Sequence, residues 1–200
     1  MLISCTFGGN KCFSGNVSSY FTREWTMDFG NCYTMNTSGM HVYDSGAAAG
    51  LDLIFNLETE ESLTTYLTGY GMCVVVHERG TQPFPSADGL SASAGFQTHF
   101  SLQASEVSRL SGNYGHCSHS DASDSKYEYS LKTCHAERYE GRQMETCNCT
   151  DPFSRTSTPS RNASICETAE EFECNARVKE EFKDIVSQEK PYFDCYNPCR

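Results

Sequence analysis

The side chains with the greatest chemical capacity in this chain are its twelve cysteines. A thiol can bind a metal, act as a nucleophile or pair with a second thiol. Protein metal sites are usually marked by repeated C-x-x-C pairs or by C-x-x-C with H-x-x-x-H. Neither pattern occurs here, and the one C-x-C, Cys147-Asn148-Cys149, has no matching partner motif. Disulfides are therefore favoured over zinc. Because disulfides persist in oxidising compartments, the chain is predicted to be extracellular.

The other patterns that could support catalysis are weak. The histidines are scattered, and neither G-x-S-x-G nor H-E-x-x-H occurs. A cysteine nucleophile needs a thiol that is free of disulfides. Cys73, four residues before His77, is the one candidate for such a thiol. We predict no enzymatic activity and no cofactor.

Charge and length limit the class of partner. The net charge of −11 argues against nucleic acid, which requires a basic face. An acidic surface suits cations or basic peptides, although solubility alone also explains it. A chain of 200 residues can bury a substantial core, so disulfides need not hold it together alone.

Nothing in the sequence provides a route to secretion. The first residues, Met1 to Cys5, lack the basic leader and long apolar stretch of a signal peptide. No window approaches the ~18 apolar residues of a membrane span. This contradiction is resolved if the chain is an internal fragment of a longer secreted or membrane protein.

Four N-x-S/T sequons support an extracellular location. Asn148 lies between two cysteines and is the least favourable of the four acceptors, whereas Asn162 lies in a loop rich in Ser, Thr, Pro and Arg. The predicted glycosylation sites are Asn16, Asn36 and Asn162.

The first half of the chain is predicted to form strands. Leu51 to Leu57 shows the alternation of a half-buried strand, and so does Phe96 to Leu102. Met72 to His77 is a β-branched run that predicts a strand buried on both faces. The segment from Gly80 to Gly89 is rich in turn residues.

The last third is predicted to be helical. Thr168 and Glu171 fit a capping box, and apolar residues follow at helical spacing from Cys174 to Val186. An earlier helix is predicted to begin near Ser130. Strands followed by helices indicate an α+β fold.

The motifs, taken together, resemble the extracellular domain of the degenerin, epithelial sodium channel and acid-sensing ion channel family. In the motif G-x-C-Y-T-F-N of this family, Met35 occupies the usual Phe position. The matching segments are C-x-F-x-G-x-x-C at Cys5–Cys12, F-T-R at Phe21–Arg23, G-x-C-Y-T-x-N at Gly30–Asn36, Val74–His77 followed by Pro83-Phe84, G-x-x-T at Gly95–Thr98, Tyr114-Gly115-x-Cys117, Cys147-x-Cys149 and Cys195-x-x-Pro198-Cys199.

The resemblance implies a hand-like α+β architecture. Residues 1–117 would comprise the end of the finger, the β-ball and palm strands, and residues 118–200 a disulfide-stapled two-helix thumb. Both transmembrane helices would lie outside this chain. The parent protein would be an integral protein of the plasma membrane, with this portion on the extracellular side.

The resemblance also implies a set of disulfides. Cys32's usual partner lies upstream of this chain, and Cys73 would be either a buried free thiol or part of an added bridge. The implied pairs are Cys5–Cys12, Cys117–Cys199, Cys134–Cys195, Cys147–Cys174 and Cys149–Cys166.

The function implied by the resemblance is stimulus sensing and gating in a sodium-selective, amiloride-blocked channel of three related subunits. Tyr114 matches the aromatic that couples the thumb to the pore, although a packed turn aromatic explains it equally well. Glu60, Glu61 and Glu180 match acidic sensor positions of acid-sensing members, but Ala176 replaces the second thumb acid. Peptide gating or constitutive activity is therefore predicted rather than proton gating. The alternative function is a free-standing, secreted, disulfide-rich binding module.

Overall fold

The computed structural model describes most of the chain as two compact units. Unit 1 comprises residues 1–76 and 84–102, and unit 2 comprises residues 77–83 and 103–200. For 17, 18, 61, 114 and 184–187 only the backbone is described. The described residues are 2–13, 17–26, 28–61, 69–118, 127–151, 164–187 and 195–199.

Unit 1 is built from short antiparallel sheets. A three-stranded sheet has the order β2-β1-β5, and two hairpins pair β3 with β4 and β6 with β7. Cys5 on β1 lies opposite Leu53 on β5, and a bulge between Leu2 and Ser4 interrupts that ladder. The elements of unit 1 are β1 (Leu2–Phe7), β2 (Asn10–Lys11), β3 (Phe21–Thr26), β4 (Gly30–Met35), β5 (Leu51–Phe55), β6 (Gly71–Val74), the short helix α1 (Pro85–Asp88) and β7 (Leu90–Ser93).

The three strands predicted from sequence have different outcomes. The strand from Leu51 is confirmed as β5, which ends at Phe55 rather than Leu57. The strand predicted from Met72 to His77 is confirmed as β6, which ends at Val74. Its predicted burial on both faces is wrong, because β6 alternates between exposed and half-buried residues.

The strand predicted from Phe96 to Leu102 is wrong. This segment has no assigned strand, and Phe96 and Leu102 are 80% and 69% exposed. Alternation identifies a strand only when a neighbouring strand takes up its backbone hydrogen bonds. Within the described residues, no such neighbour pairs with this segment.

Unit 2 contains the two long helices of the described residues, α2 (Leu131–Cys147) and α3 (Ala169–Ser187). The helix predicted near Ser130 is confirmed, since Ser130 is its N-cap and Ser130 Oγ accepts the Thr133 N–H at 3.0 Å. Asn148 ends α2 in the left-handed conformation at φ 56°, and its N–H donates to the Met144 carbonyl at 3.0 Å.

The predicted capping box at the start of α3 is also confirmed. The Glu171 N–H donates to Thr168 Oγ1 at 3.3 Å, and the Thr168 N–H donates to Glu171 Oε2 at 2.9 Å. The hydrogen bonds from the backbone N–H groups of Thr168 and Glu167 lower the pKa of Glu171. This carboxyl is therefore ionised at neutral pH.

The two helices run antiparallel. Cys147 at the end of α2 is joined to Cys174 near the start of α3, whereas Tyr139 packs on Phe182 with ring centroids 5.0 Å apart. Val178 is buried in the helix pair. Burial, followed by the charge of Asp151, raises the pKa of Tyr139 to about 12.

The described structure thus combines small sheets with helices, as an α+β fold predicts. The finer assignment to finger, β-ball, palm and thumb at 1–117 and 118–200 stays a prediction.

Candidate functional site

Ten of the cysteines form five disulfides, and one of these lies in unit 1. It joins Cys5 on β1 to Cys12 just after β2, with Cα atoms 5.4 Å apart. The Cys12 N–H also donates to the Cys5 carbonyl at 3.1 Å. This disulfide therefore closes the first hairpin of the chain.

The other four disulfides staple unit 2 from one end of the helix pair to the other. Their Cα separations of 5.0 to 5.9 Å lie in the usual range for a disulfide. They join the pairs implied by the family resemblance, namely Cys117–Cys199, Cys134–Cys195, Cys147–Cys174 and Cys149–Cys166.

Sequence separation determines how strongly each disulfide restricts the unfolded chain. Cys117–Cys199 closes a separation of 82 residues, and Cys149–Cys166 one of 17. In the chain-entropy model these correspond to about 4.5 and about 3 kcal/mol of stabilisation if each is taken alone. The loops are nested, so the two values do not add. The disulfide with the longest loop joins the segment before α2 to the last described segment of unit 2.

Near the Cys117–Cys199 disulfide, unit 2 also contains a hydrogen-bonded clasp between Tyr129 and Tyr196. Tyr129, two residues before α2, donates its hydroxyl to the Tyr196 carbonyl at 2.7 Å and accepts the Tyr196 N–H at 3.2 Å. Ser118 forms a parallel bridge with Pro198, and the Ser118 N–H donates to the Asn197 carbonyl at 2.9 Å. Tyr129 therefore holds the last described segment against the start of the helix pair.

Sequence reasoning did not identify Tyr129. A single tyrosine before a helix carries no spacing signal, because its partner is the backbone of a residue 67 positions away. Its position beside Ser130, near which a helix was predicted to begin, was the one available indication.

The opposite end of the helix pair is closed by buried contacts. Cys149 and Cys166 are 0% and 2% exposed, and Asn175 Nδ2 donates to Cys166 Sγ at 3.4 Å. Thr150 forms a parallel bridge with Ile165, and the Cys166 N–H donates to the Thr150 carbonyl at 3.0 Å. The disulfide and the bridge together fix the connection between α2 and α3.

Cys32 and Cys73 are the two free cysteines. Cys32 is half-buried, with its sulfur 3.6 Å from Thr26 Oγ1. Cys73 was predicted to be either a buried free thiol or part of an added bridge. It is free, but the expected burial is wrong, because β6 leaves that position exposed. Local desolvation, followed by the charge of Cys32, raises the pKa of the Cys73 thiol. This thiol is therefore protonated at neutral pH and is a poor nucleophile.

The predicted sensor acids lie in both units, with Glu60 and Glu61 in unit 1 and Glu180 in unit 2. Glu60 is exposed in the 3-10 turn Thr59–Glu61, where Glu61 is described only by its backbone. A cavity of about 710 Å³ is lined by Thr59, Glu60, Tyr70 and residues 93–96. In unit 2, Glu180 is exposed and pairs with Lys183 at 2.7 Å. This hydrogen bond and the lysine's charge lower the pKa of Glu180.

The structure describes only some of the remaining predicted site residues. The backbone of Tyr114 lies in the 3-10 turn Gly112–Tyr114, but its side chain is outside the described structure. Asn36 is described and exposed, whereas Asn16 and Asn162 lie outside the described residues. Among the described residues, no helix has the length and apolar character needed to cross a membrane.

Comparison with known proteins identifies the family. A family model described as an amiloride-sensitive sodium channel matches residues 1–200. The chain belongs to this family. Its resemblance to degenerins, epithelial sodium channels and acid-sensing ion channels is thereby confirmed, and the family consists of ion channels rather than enzymes.

Three relatives show how widely this similarity extends within the amiloride-sensitive sodium channel family. The chain is 29% identical to degenerin-like protein unc-105 of Caenorhabditis elegans, covering 100% of this chain and 24% of that protein. It is 29% identical to acid-sensing ion channel 1C of Danio rerio, over 100% of this chain and 37% of that protein. It is 26% identical to epithelial sodium channel subunit beta-2 of Xenopus laevis, over 74% of this chain and 24% of that protein. The chain therefore spans well under half the length of these relatives.

The Tyr129 clasp gives a testable prediction for this channel-family chain. Tyr129→Phe keeps the ring but removes the hydroxyl that bonds to the Tyr196 N–H and carbonyl. Loss of these bonds should make local opening easier by about 1–2 kcal/mol. Hydrogen exchange of the disulfide-intact chain should then show the Tyr196 amide exchanging about 5- to 30-fold faster.

The control for this prediction is Tyr43→Phe, because Tyr43 is 93% exposed. That variant should leave exchange at Tyr196 unchanged. An unchanged Tyr196 rate in Tyr129→Phe would show that the disulfides alone hold this segment.

Proposed function

We propose that this chain is the extracellular, stimulus-sensing part of a subunit of an amiloride-sensitive sodium channel. The observation that carries the proposal is the set of four nested disulfides in and around one antiparallel helix pair, in a chain that the family model matches along its whole length. Disulfides form and persist outside the reducing cytosol, which supports an extracellular location at the plasma membrane.

In the proposed mechanism, the helix pair acts as a lever. Cys147–Cys174 joins the end of α2 to the start of α3, and Cys134–Cys195 joins the start of α2 to the segment that follows α3. In this arrangement a displacement at one end of the pair would be passed to the other. We assign this pair to the thumb of the hand-like domain, and the small sheets of unit 1 to the palm and β-ball. The clasp formed by Tyr129 and the Cys117–Cys199 disulfide would then transmit movement toward the pore.

Tyr114 is the proposed coupling residue. It lies three residues before Cys117, so the longest disulfide of unit 2 anchors the segment that carries it. Movement of the lever would reach the pore through this aromatic side chain. The role rests on the match of Tyr114 to the family motif.

The partners follow from the same proposal. We infer a trimer with identical or related subunits, which conducts sodium ions through pore residues outside this chain. The net charge of −11 suits a basic extracellular peptide as the ligand and disfavours nucleic acid.

The proposal can be tested by expressing the full-length parent protein in oocytes and labelling the free thiols from outside. Cys73 is exposed, so a membrane-impermeant maleimide should label it on intact cells, slowly because its thiol is protonated. Cys73→Ser should lose this label. The same cells should carry a sodium current that amiloride blocks, either constitutively or on addition of a peptide.

Two results would contradict the proposed function. Labelling of Cys73 only after the cells are permeabilised would place this chain on the cytosolic side. A parent protein that reaches the surface but gives no amiloride-sensitive current, alone or with related subunits, would argue against the channel assignment.

We further propose that the parent channel is not gated by protons. Lys183 lowers the pKa of Glu180 below its ordinary value near 4.3, so this carboxylate stays ionised between pH 7.4 and pH 6. Ala176 occupies the position of the second acid, which leaves no close carboxylate pair at these two positions to raise a pKa toward neutrality.

A step from pH 7.4 to about pH 6 should therefore evoke no large transient inward current in cells that express the full-length channel. Lys183→Met should raise the pKa of Glu180 toward its ordinary value, which is still too low to titrate in this range. A large transient current on acidification of the unaltered channel would refute this proposal.

A further inference from the structure

Asn36 directly follows β4 and lies in an open turn. The Ser38 N–H donates to Asn36 Oδ1 at 3.0 Å, and the Met40 N–H donates to the Thr37 carbonyl at 3.0 Å. Gly39 allows this turn because its φ is 85°, a conformation that other residues rarely adopt. Asn36, Thr37 and Ser38 are all exposed, so the whole sequon is accessible.

The start of this turn is fixed to the rest of unit 1. The Asn36 N–H donates to the Tyr20 carbonyl at 2.8 Å, next to the pairing of Phe21 with Met35. The backbone at Asn36 is therefore anchored to the β3–β4 hairpin while its side chain remains exposed. A bulky group attached to Asn36 would extend into solvent without displacing buried side chains.

The other sequon within the described residues differs in accessibility. Asn148 is exposed, but Cys149 and Thr150, which complete its sequon, are 0% and 1% exposed. Cys149 is bonded to Cys166, and Thr150 pairs with Ile165. Folding therefore removes this sequon from access, whereas it leaves the Asn36 sequon open.

We propose that Asn36 carries an N-linked glycan. A transferase would use a polyprenyl-diphosphate-linked oligosaccharide as the donor. Asn36 Nδ2 forms a bond to C1 of the first sugar, the bond from C1 to the diphosphate oxygen breaks, and the amide nitrogen loses one proton. This inference rests on the proposed function, because the transfer takes place on the secretory side of the membrane.

The test uses the full-length protein expressed in eukaryotic cells and treated with peptide N-glycosidase, which converts a glycosylated Asn to Asp. The peptide containing Asn36 should be recovered with Asp at that position. Asn36→Gln and Ser38→Ala should each migrate faster by one glycan step before the enzyme treatment. Thr37→Ala is the matched control, since it keeps the sequon and should migrate like the unaltered protein.

Recovery of this peptide only as unmodified Asn36 would overturn the inference. If Cys73 is still labelled from outside in the same cells, the extracellular location stands and only the modification is wrong. If Cys73 is also inaccessible from outside, the proposed function fails together with the modification.

Discussion

Half-cystines make up most of the buried apolar side chains on which the described structure depends. Among the described residues, the buried apolar side chains are Val178 and five half-cystines. Among the side chains of α2 and α3 that the structure describes, the other buried ones are polar, namely Thr133, Glu140, Gln143 and Asn175. Burial of polar groups yields little net free energy even when they are hydrogen-bonded. The Cys147–Cys174 disulfide therefore contributes strongly to fixing the two helices relative to each other.

This constraint suits a part that must transmit force. A helix pair held by apolar packing alone can shift in small steps, since each contact is weak and non-directional. Here Cys147–Cys174 links α2 directly to α3, and Cys134–Cys195 links the start of α2 to the segment after α3. The Tyr129 clasp and the Thr150–Ile165 bridge add hydrogen bonds at the two ends. The caps at Ser130 and Thr168 define where each helix begins, so the half-cystines are held in register.

Local signals in the sequence predicted the features that depend on neighbouring residues. Thr168 and Glu171 form a capping box through contacts within one turn, and such contacts can be read from spacing. The start of the earlier helix near Ser130 was predicted in the same way, and the structure adds that Ser130 is its N-cap. The disulfide pairs could not be derived from spacing, because twelve cysteines allow very many pairings. Only the resemblance to a known family selected one set.

Features that depend on distant partners were missed or wrong. Phe96 to Leu102 alternates like a strand, yet it is exposed and has no neighbouring strand within the described residues. The run from Met72 to His77 was expected to be buried on both faces because it is β-branched, but β6 alternates between exposed and half-buried residues and leaves Cys73 exposed. Tyr129 bonds to a backbone 67 residues away, which no local pattern encodes.

The central claim is that four nested disulfides link the helix pair to the segments on either side of it. Non-reducing peptide mapping of the full-length protein, purified from cell membranes, tests this most directly. We predict linkages Cys117–Cys199, Cys134–Cys195, Cys147–Cys174 and Cys149–Cys166. A linkage between Cys147 and Cys149, or reduced thiols at these eight positions in the folded protein, would contradict the claim.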